Sequence, residues 1–127
     1  MEQNQITGAK AVERGFKMAR IVAKFLDTDL LSTKSNEIIL DGKLFVIKSA
    51  RRKTSSIGIT EKMFDRLQGT IVALETDNGK YTLYEVDLKN NPPLQMCFSK
   101  SSGHIKNRVI QISRKSIQKY GRVMENI

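Results

Sequence analysis

Three features of the sequence point to an α/β (α+β) domain with a central mixed β-sheet flanked by helices. Apolar residues recur at intervals of three and four from Val12 to Leu26, the period of an amphipathic helix. Two pairs of β-forming runs are joined by turn signals, Asp41-Gly42 in the first and Asp77-Asn78-Gly79 in the second. Asp-Gly between β-formers is the strongest short hairpin signal, because both central residues of a type I′ turn need positive φ. Residues 70–74 are almost continuously apolar, as expected of a central strand covered on both faces.

Residues 1–6 are polar. From Thr7, a suitable N-cap, the residues Val12, Phe16, Ala19, Val22 and Leu26 form the apolar face of a first helix ending near Asp27. Its other face carries Lys10, Arg14, Lys17 and Lys24, which we read as a solvated face in preference to a DNA contact. Residues 28–35 link helix to hairpin, with Leu30 and Leu31 expected to dock on the core.

Counting outward from Asp41-Gly42 pairs Leu40 with Lys43, Ile39 with Leu44, Ile38 with Phe45 and Glu37 with Val46. Because side chains alternate and opposed residues share a face, Glu37, Ile39, Leu44, Val46 and Lys48 project to one side. Glu37 and Lys48 are then diagonal neighbours, either a structural ion pair or the remnant of a catalytic site.

Next comes SARRKTSSIGIT, in which Ser49, Thr54, Ser55 and Ser56 are interleaved with Arg51, Arg52 and Lys53. Hydroxyls and cations together suit phosphate oxygens without requiring a particular base. Arg51, Arg52, Lys53 and Ser55 are therefore expected to contact a nucleic-acid backbone. Thr60 can cap a short helix that buries Met63, Phe64 and Leu67 and stops at Gly69. In the second hairpin, Tyr81 and Tyr84 fall on opposite faces, so at most one belongs to the core.

Asn90-Asn91-Pro92-Pro93 breaks the chain. Beyond it we expect a strand over 94–99, a basic loop, a strand over 108–113, and a short helix or turn over 116–124 interrupted at Gly121. The loop's Ser/Gly-rich, basic composition fits a segment that orders on a phosphate backbone. It adds Lys100, Lys106 and Arg108 to the expected contacts; an ordinary solvated loop is the alternative. No internal repeat is read.

The hairpin and its neighbours resemble the PD-(D/E)xK, or restriction-endonuclease-like, nucleases. In that family an acid on one hairpin strand is followed across the turn by acid-x-Lys, and a basic segment often comes after. The resemblance places the first acid at Glu37 and the lysine at Lys48, and it offers Glu13 as the glutamate of the first helix that often reaches the metal site. Pairing of Glu13 with Lys10 or Lys17 is the alternative. Val46 stands where the second acid belongs, and valine cannot ligate. The resemblance implies a restriction-endonuclease-like core over 8–88 and a small, basic, β-rich C-terminal extension over 94–127, within one nuclease-like domain spanning 1–127. It also implies a catalytic set of Glu37, Lys48 and Glu13, with Glu37 as metal ligand for Mg²⁺ if the site is active.

Composition sets the function classes. Twenty-two Lys and Arg against thirteen Asp and Glu give a net charge of +9, which favours a polyanionic partner; solubility is the other use of such charge. The single cysteine, Cys97, excludes an intrachain disulfide and a cysteine-rich zinc site, and its apolar surroundings suggest burial. A nucleophilic pair of Cys97 with the lone His104 is not favoured. No apolar run approaches a membrane span and the N-terminus lacks a signal-peptide pattern, so we expect an intracellular protein of the cytoplasm or nucleoid. With 6% aromatic residues and no tryptophan, base stacking on single strands is not favoured. The expected partner is DNA, double-stranded in preference, with a homodimer left open and no membrane. Three functions follow: a metal-dependent DNA endonuclease with an altered active site, an inactive relative that binds DNA or a nucleoprotein, or a small adaptor or inhibitor docking on an acidic protein surface.

Overall fold

The computed structural model describes residues 15–32, 36–100 and 108–127. Thr7, Lys10, Glu13, Arg14, His104 and Lys106 lie outside them, as does the side chain of Lys100. A first helix, α1, covers 15–25. The other elements, in chain order, are β1 Glu37–Leu40, β2 Lys43–Ala50, β3 Ser56–Thr60, α2 Glu61–Arg66, β4 Gly69–Asp77, β5 Lys80–Asp87, α3 Pro92–Gln95, β6 Ser99–Lys100, β7 Val109–Ser113, α4 Arg114–Tyr120 and β8 Arg122–Asn126.

Strands β1, β2, β4, β5 and β8, in that order, form a mixed five-stranded sheet, and β3, β7 and β6 form a second, three-stranded one. The first hairpin has the expected register, Glu37 opposite Val46 through Leu40 opposite Lys43. Its turn residues Asp41 and Gly42 have φ of 51° and 76°, as a type I′ turn requires. In the second hairpin Asp77 pairs with Lys80 after an irregularity between Glu75 and Asp77, and Gly79 alone takes positive φ.

Two apolar layers cover the large sheet, one on each face. Ala19, Val22 and Ala23 of α1 pack on Ile38, Phe45, Ile47, Ile71, Ala73 and Leu83. The opposite face presents Val46, Ala50, Val72, Leu74, Tyr84 and Val86 to Ile57 and Ile59 of β3, Ile112 of β7, Ile117 of α4, and Leu67, Leu88 and Leu94. Helix, sheet and a mixed second layer thus enclose β4, whose first seven residues are all buried. Tyr84 is in the core and Tyr81 packs half-buried on the other face.

Several expectations need correcting. Strand β4 pairs with β2 in parallel, and β3 pairs with β7 in the second sheet. Residues 94–127 are therefore woven into both sheets, where burial of Ile57 and Ile59 requires the cover that β7 and α4 supply. The 94–99 segment holds no long strand: Asn91 caps Leu94 N–H at 3.4 Å with Pro92 in the first turn, so the prolines open a helix. Leu94 takes the buried position and Cys97 is exposed. Leu31 is 53% exposed because its N–H reaches Glu37 O while its side chain points outward. Helix α2 ends at Arg66 and Gly69 opens β4; a Cβ there would collide with Val86 O, so this glycine serves close strand approach rather than helix termination. Helix α4 starts two residues before the expected 116, and β8 follows directly after Gly121.

An internal repeat is present after all. Strand, short helix and sheet strand recur as β3-α2-β4 and β7-α4-β8. The N-caps Thr60 and Ser113 are both extended and each accepts from the N–H three residues on, Met63 and Ser116. Strands β3 and β7 pair symmetrically about Gly58 and Gln111. Glu61 N donates to Arg108 O at 3.0 Å, and the equivalent Arg114 N donates to Ser55 O at 2.8 Å. The β3-α2 and β7-α4 pieces are thus related by a local pseudo-two-fold about the β3–β7 pair.

Candidate nucleic-acid interface

Strand β2 ends at Ala50, and the chain turns through residues 51–55 before entering β3. One bond, Thr54 N to Arg51 O at 2.9 Å, closes that turn from within. The rest of its fixing comes from elsewhere in the chain. Glu75 on β4, 6% exposed, accepts Arg52 N–H at 3.0 Å and Gly79 N–H at 3.1 Å, and its carboxylate lies 4.0 Å from Arg51 Nε. These backbone N–H groups of Arg52 and Gly79, aided by the charges of Arg51 and Arg52, hold Glu75 below the usual carboxylate range against the opposing effect of burial.

Arg114, the first residue of α4, supplies the second tether. Its Nε donates to Thr54 O at 3.1 Å, Nη1 to Glu75 O at 3.1 Å, and Nη2 to Arg51 O at 2.6 Å and Ala50 O at 3.5 Å. The guanidinium fork thus spends its donors on carbonyls, with Arg52 and Lys53 left exposed at the loop's tip. Between residues 52–56 and Ser113, Arg114 and Lys115 lies a groove of about 380 Å³. Arg52, Lys53 and Lys115 line it with the exposed hydroxyls of Thr54, Ser55 and Ser113. Among the described residues none of these three cations forms an ion pair; those that occur are Arg51–Glu75, Arg66–Glu37, Arg108–Glu61 and Arg122–Glu85.

The expected contact residues therefore divide. Arg52, Lys53 and Ser55 line the groove, while Arg51 borders it with its guanidinium turned toward Glu75. Arg108 stands at the other end of the β3–β7 pair, 3.9 Å from Glu61. Six residue steps at about 3.3 Å each put it roughly 20 Å from Ser55. Ser113, Arg114 and Lys115 were not anticipated. The available signal was the likeness of IGITEK at 57–62 to IQISRK at 110–115, which shares the capping hydroxyl and the following lysine.

Of the expected catalytic residues Glu13 lies outside the described ones, among which no cluster of three or more metal-ligating side chains occurs. Glu37 and Lys48 share a sheet face as their register requires, but Glu37 Oε1 accepts Arg66 Nη2 at 2.8 Å. A guanidinium at that distance competes directly with a divalent cation for the carboxylate. Val46 is 2% exposed and belongs to the core. Lys48 is half-buried, outside every ion pair among the described residues, and burial lowers its pKa below the usual lysine range.

Comparison of the chain with protein-family models, with curated proteins and with solved structures found no match. No helix among the described residues is long and apolar enough to cross a membrane.

Proposed function

We propose that the protein binds double-stranded nucleic acid, DNA in the first instance, through the phosphate backbone, and that it does so without cleaving it. The observation that carries this reading is the groove in which Arg52 and Lys53 of the tethered loop converge with Lys115, 62 residues beyond Lys53, beside three hydroxyls. Cations outside every ion pair among the described residues release counterions on meeting phosphates, and hydroxyls add bonds that carry no base information. Among the described residues no aromatic side chain lines the groove, which supports a duplex backbone over stacked single-stranded bases. An intracellular location belongs to the same reading.

The catalytic alternative would require a metal at Glu37, and the ion pair to Arg66 and the buried Val46 argue against it. Fluorescence anisotropy of a labelled duplex at low salt tests the binding, and plasmid nicking in Mg²⁺ or Mn²⁺ tests cleavage. Saturable binding that is indifferent to base sequence, with no nicking, is the expected result. Nicking that disappears in Lys48→Ala while binding persists would replace this reading by the endonuclease. Absence of saturable binding at low salt would leave the charge as a solubility feature.

A further inference from the structure

We propose that Arg114 and Glu75 are positioning residues for this interface: they hold the 51–55 loop in its binding shape, so affinity depends on two side chains that need not touch the ligand. The proposal rests on the backbone-binding reading. Within the loop only the Thr54–Arg51 bond is local. Five exposed residues joined by one such bond would otherwise lose their backbone freedom on binding, and a loop already fixed does not incur that loss. Glu75 uses both oxygens, Oε1 on Arg52 N–H and Oε2 on Gly79 N–H, which joins the loop to the turn after β4. Arg114 collects the carbonyls of Ala50, Arg51, Thr54 and Glu75, which joins the loop to α4.

Both tethers depend on group chemistry that close analogues lack. Only a planar fork with five N–H donors reaches carbonyls arrayed on several sides, and a lysine ammonium in its place keeps the charge but loses that geometry. A glutamine at 75 offers one acceptor oxygen where two backbone N–H groups need one each. The pseudo-two-fold places Glu61 at the position of Arg114, and a carboxylate has no N–H to give a carbonyl. The Arg114 tether is therefore a property of one half of the repeat.

Duplex anisotropy across a salt series, on the unaltered protein, Arg114→Lys and Glu75→Gln, separates positioning from charge. Arg114→Lys leaves net charge unchanged and Glu75→Gln makes the protein more positive, so attraction alone expects equal binding for the first and tighter binding for the second. Positioning expects both variants to bind at least tenfold more weakly with the salt slope unchanged, since the same phosphates are met by a loop that must first be ordered. Amide hydrogen exchange of the free protein supplies a second readout, with Arg52 and Thr54 protected in the unaltered chain and faster in both variants. Equal affinity in folded Arg114→Lys, tighter binding in Glu75→Gln, or unprotected Arg52 and Thr54 amides in the unaltered protein would each overturn the positioning role. Failure of the unaltered protein to bind duplex at all would instead remove the underlying reading, and the proposal with it.

Discussion

Replacing Arg52, Lys53 and Lys115 together by alanine should change the salt dependence of duplex binding by a definite amount. Of the cations at the groove, Arg51 faces Glu75 and Arg114 is bonded to carbonyls, which leaves these three for phosphate. Each phosphate neutralised on B-form DNA contributes about −0.9 to the slope of log affinity against log salt, so the triple variant should lose about 2.7. At 0.1 M salt that exponent corresponds to a loss on the order of 500-fold in affinity. Anisotropy titrations from low to physiological salt measure both quantities, on two unrelated duplexes that should respond equally because backbone contacts carry no base information. Arg20→Ala with Lys24→Ala provides the control, since both residues are exposed on the α1 layer, on the opposite side of the sheet; its slope should match that of the unaltered protein. A triple variant whose slope falls by less than about one, or a control that falls equally, would refute the assignment of the groove.

Other consequences concern stability and metal. Val46→Glu, the change that would restore the acid of the nuclease pattern, should destabilise the protein by about 3 kcal/mol or more without creating a site, because it buries a carboxylate in the core opposite Glu37; chemical denaturation and Mg²⁺ calorimetry would show it. Ile112→Ala should cost about 2–5 kcal/mol, and a chain ending at Leu88 should give no cooperative melt, because both uncover Ile57 and Ile59. Lys48 releases its proton at lower pH when folded than when unfolded; the unfolded chain then binds more protons between the two pKa values, so stability should rise with pH as this window is crossed, and Lys48→Met should abolish the rise. Burial pushes Asp87 up, but the backbone N–H groups of Lys89 and Asn90 and the Gln68 amide outweigh it and hold it down. Stability from Asp87 should therefore be present above the usual carboxylate range and be lost as pH falls through the depressed folded value, a limb that Asp87→Asn should flatten in acid unfolding.

The features legible in the sequence are those that a few neighbouring residues can specify. Asp41-Gly42 imposes positive φ at two adjacent positions, and from that turn the pairing of Glu37 with Val46 and the shared face of Glu37 and Lys48 follow by counting. The α1 periodicity and the Thr60 cap were legible for the same reason, and the exposed cluster at 51–53 could be read directly from composition. Tertiary structure alone decided which strands meet. Strand β3 has no local signal that distinguishes β2 from β7 as a neighbour, and the choice rests on covering Ile57, Ile59, Val72 and Leu74 with Ile112 and Ile117 from the far end of the chain. The same long-range packing brought Arg66 to Glu37 and Arg114 to the 51–55 loop across separations of 29 and up to 63 residues. A hydrogen-bonded turn is encoded within its own residues, whereas a guanidinium's partners are fixed only once two sheets have closed on a shared core.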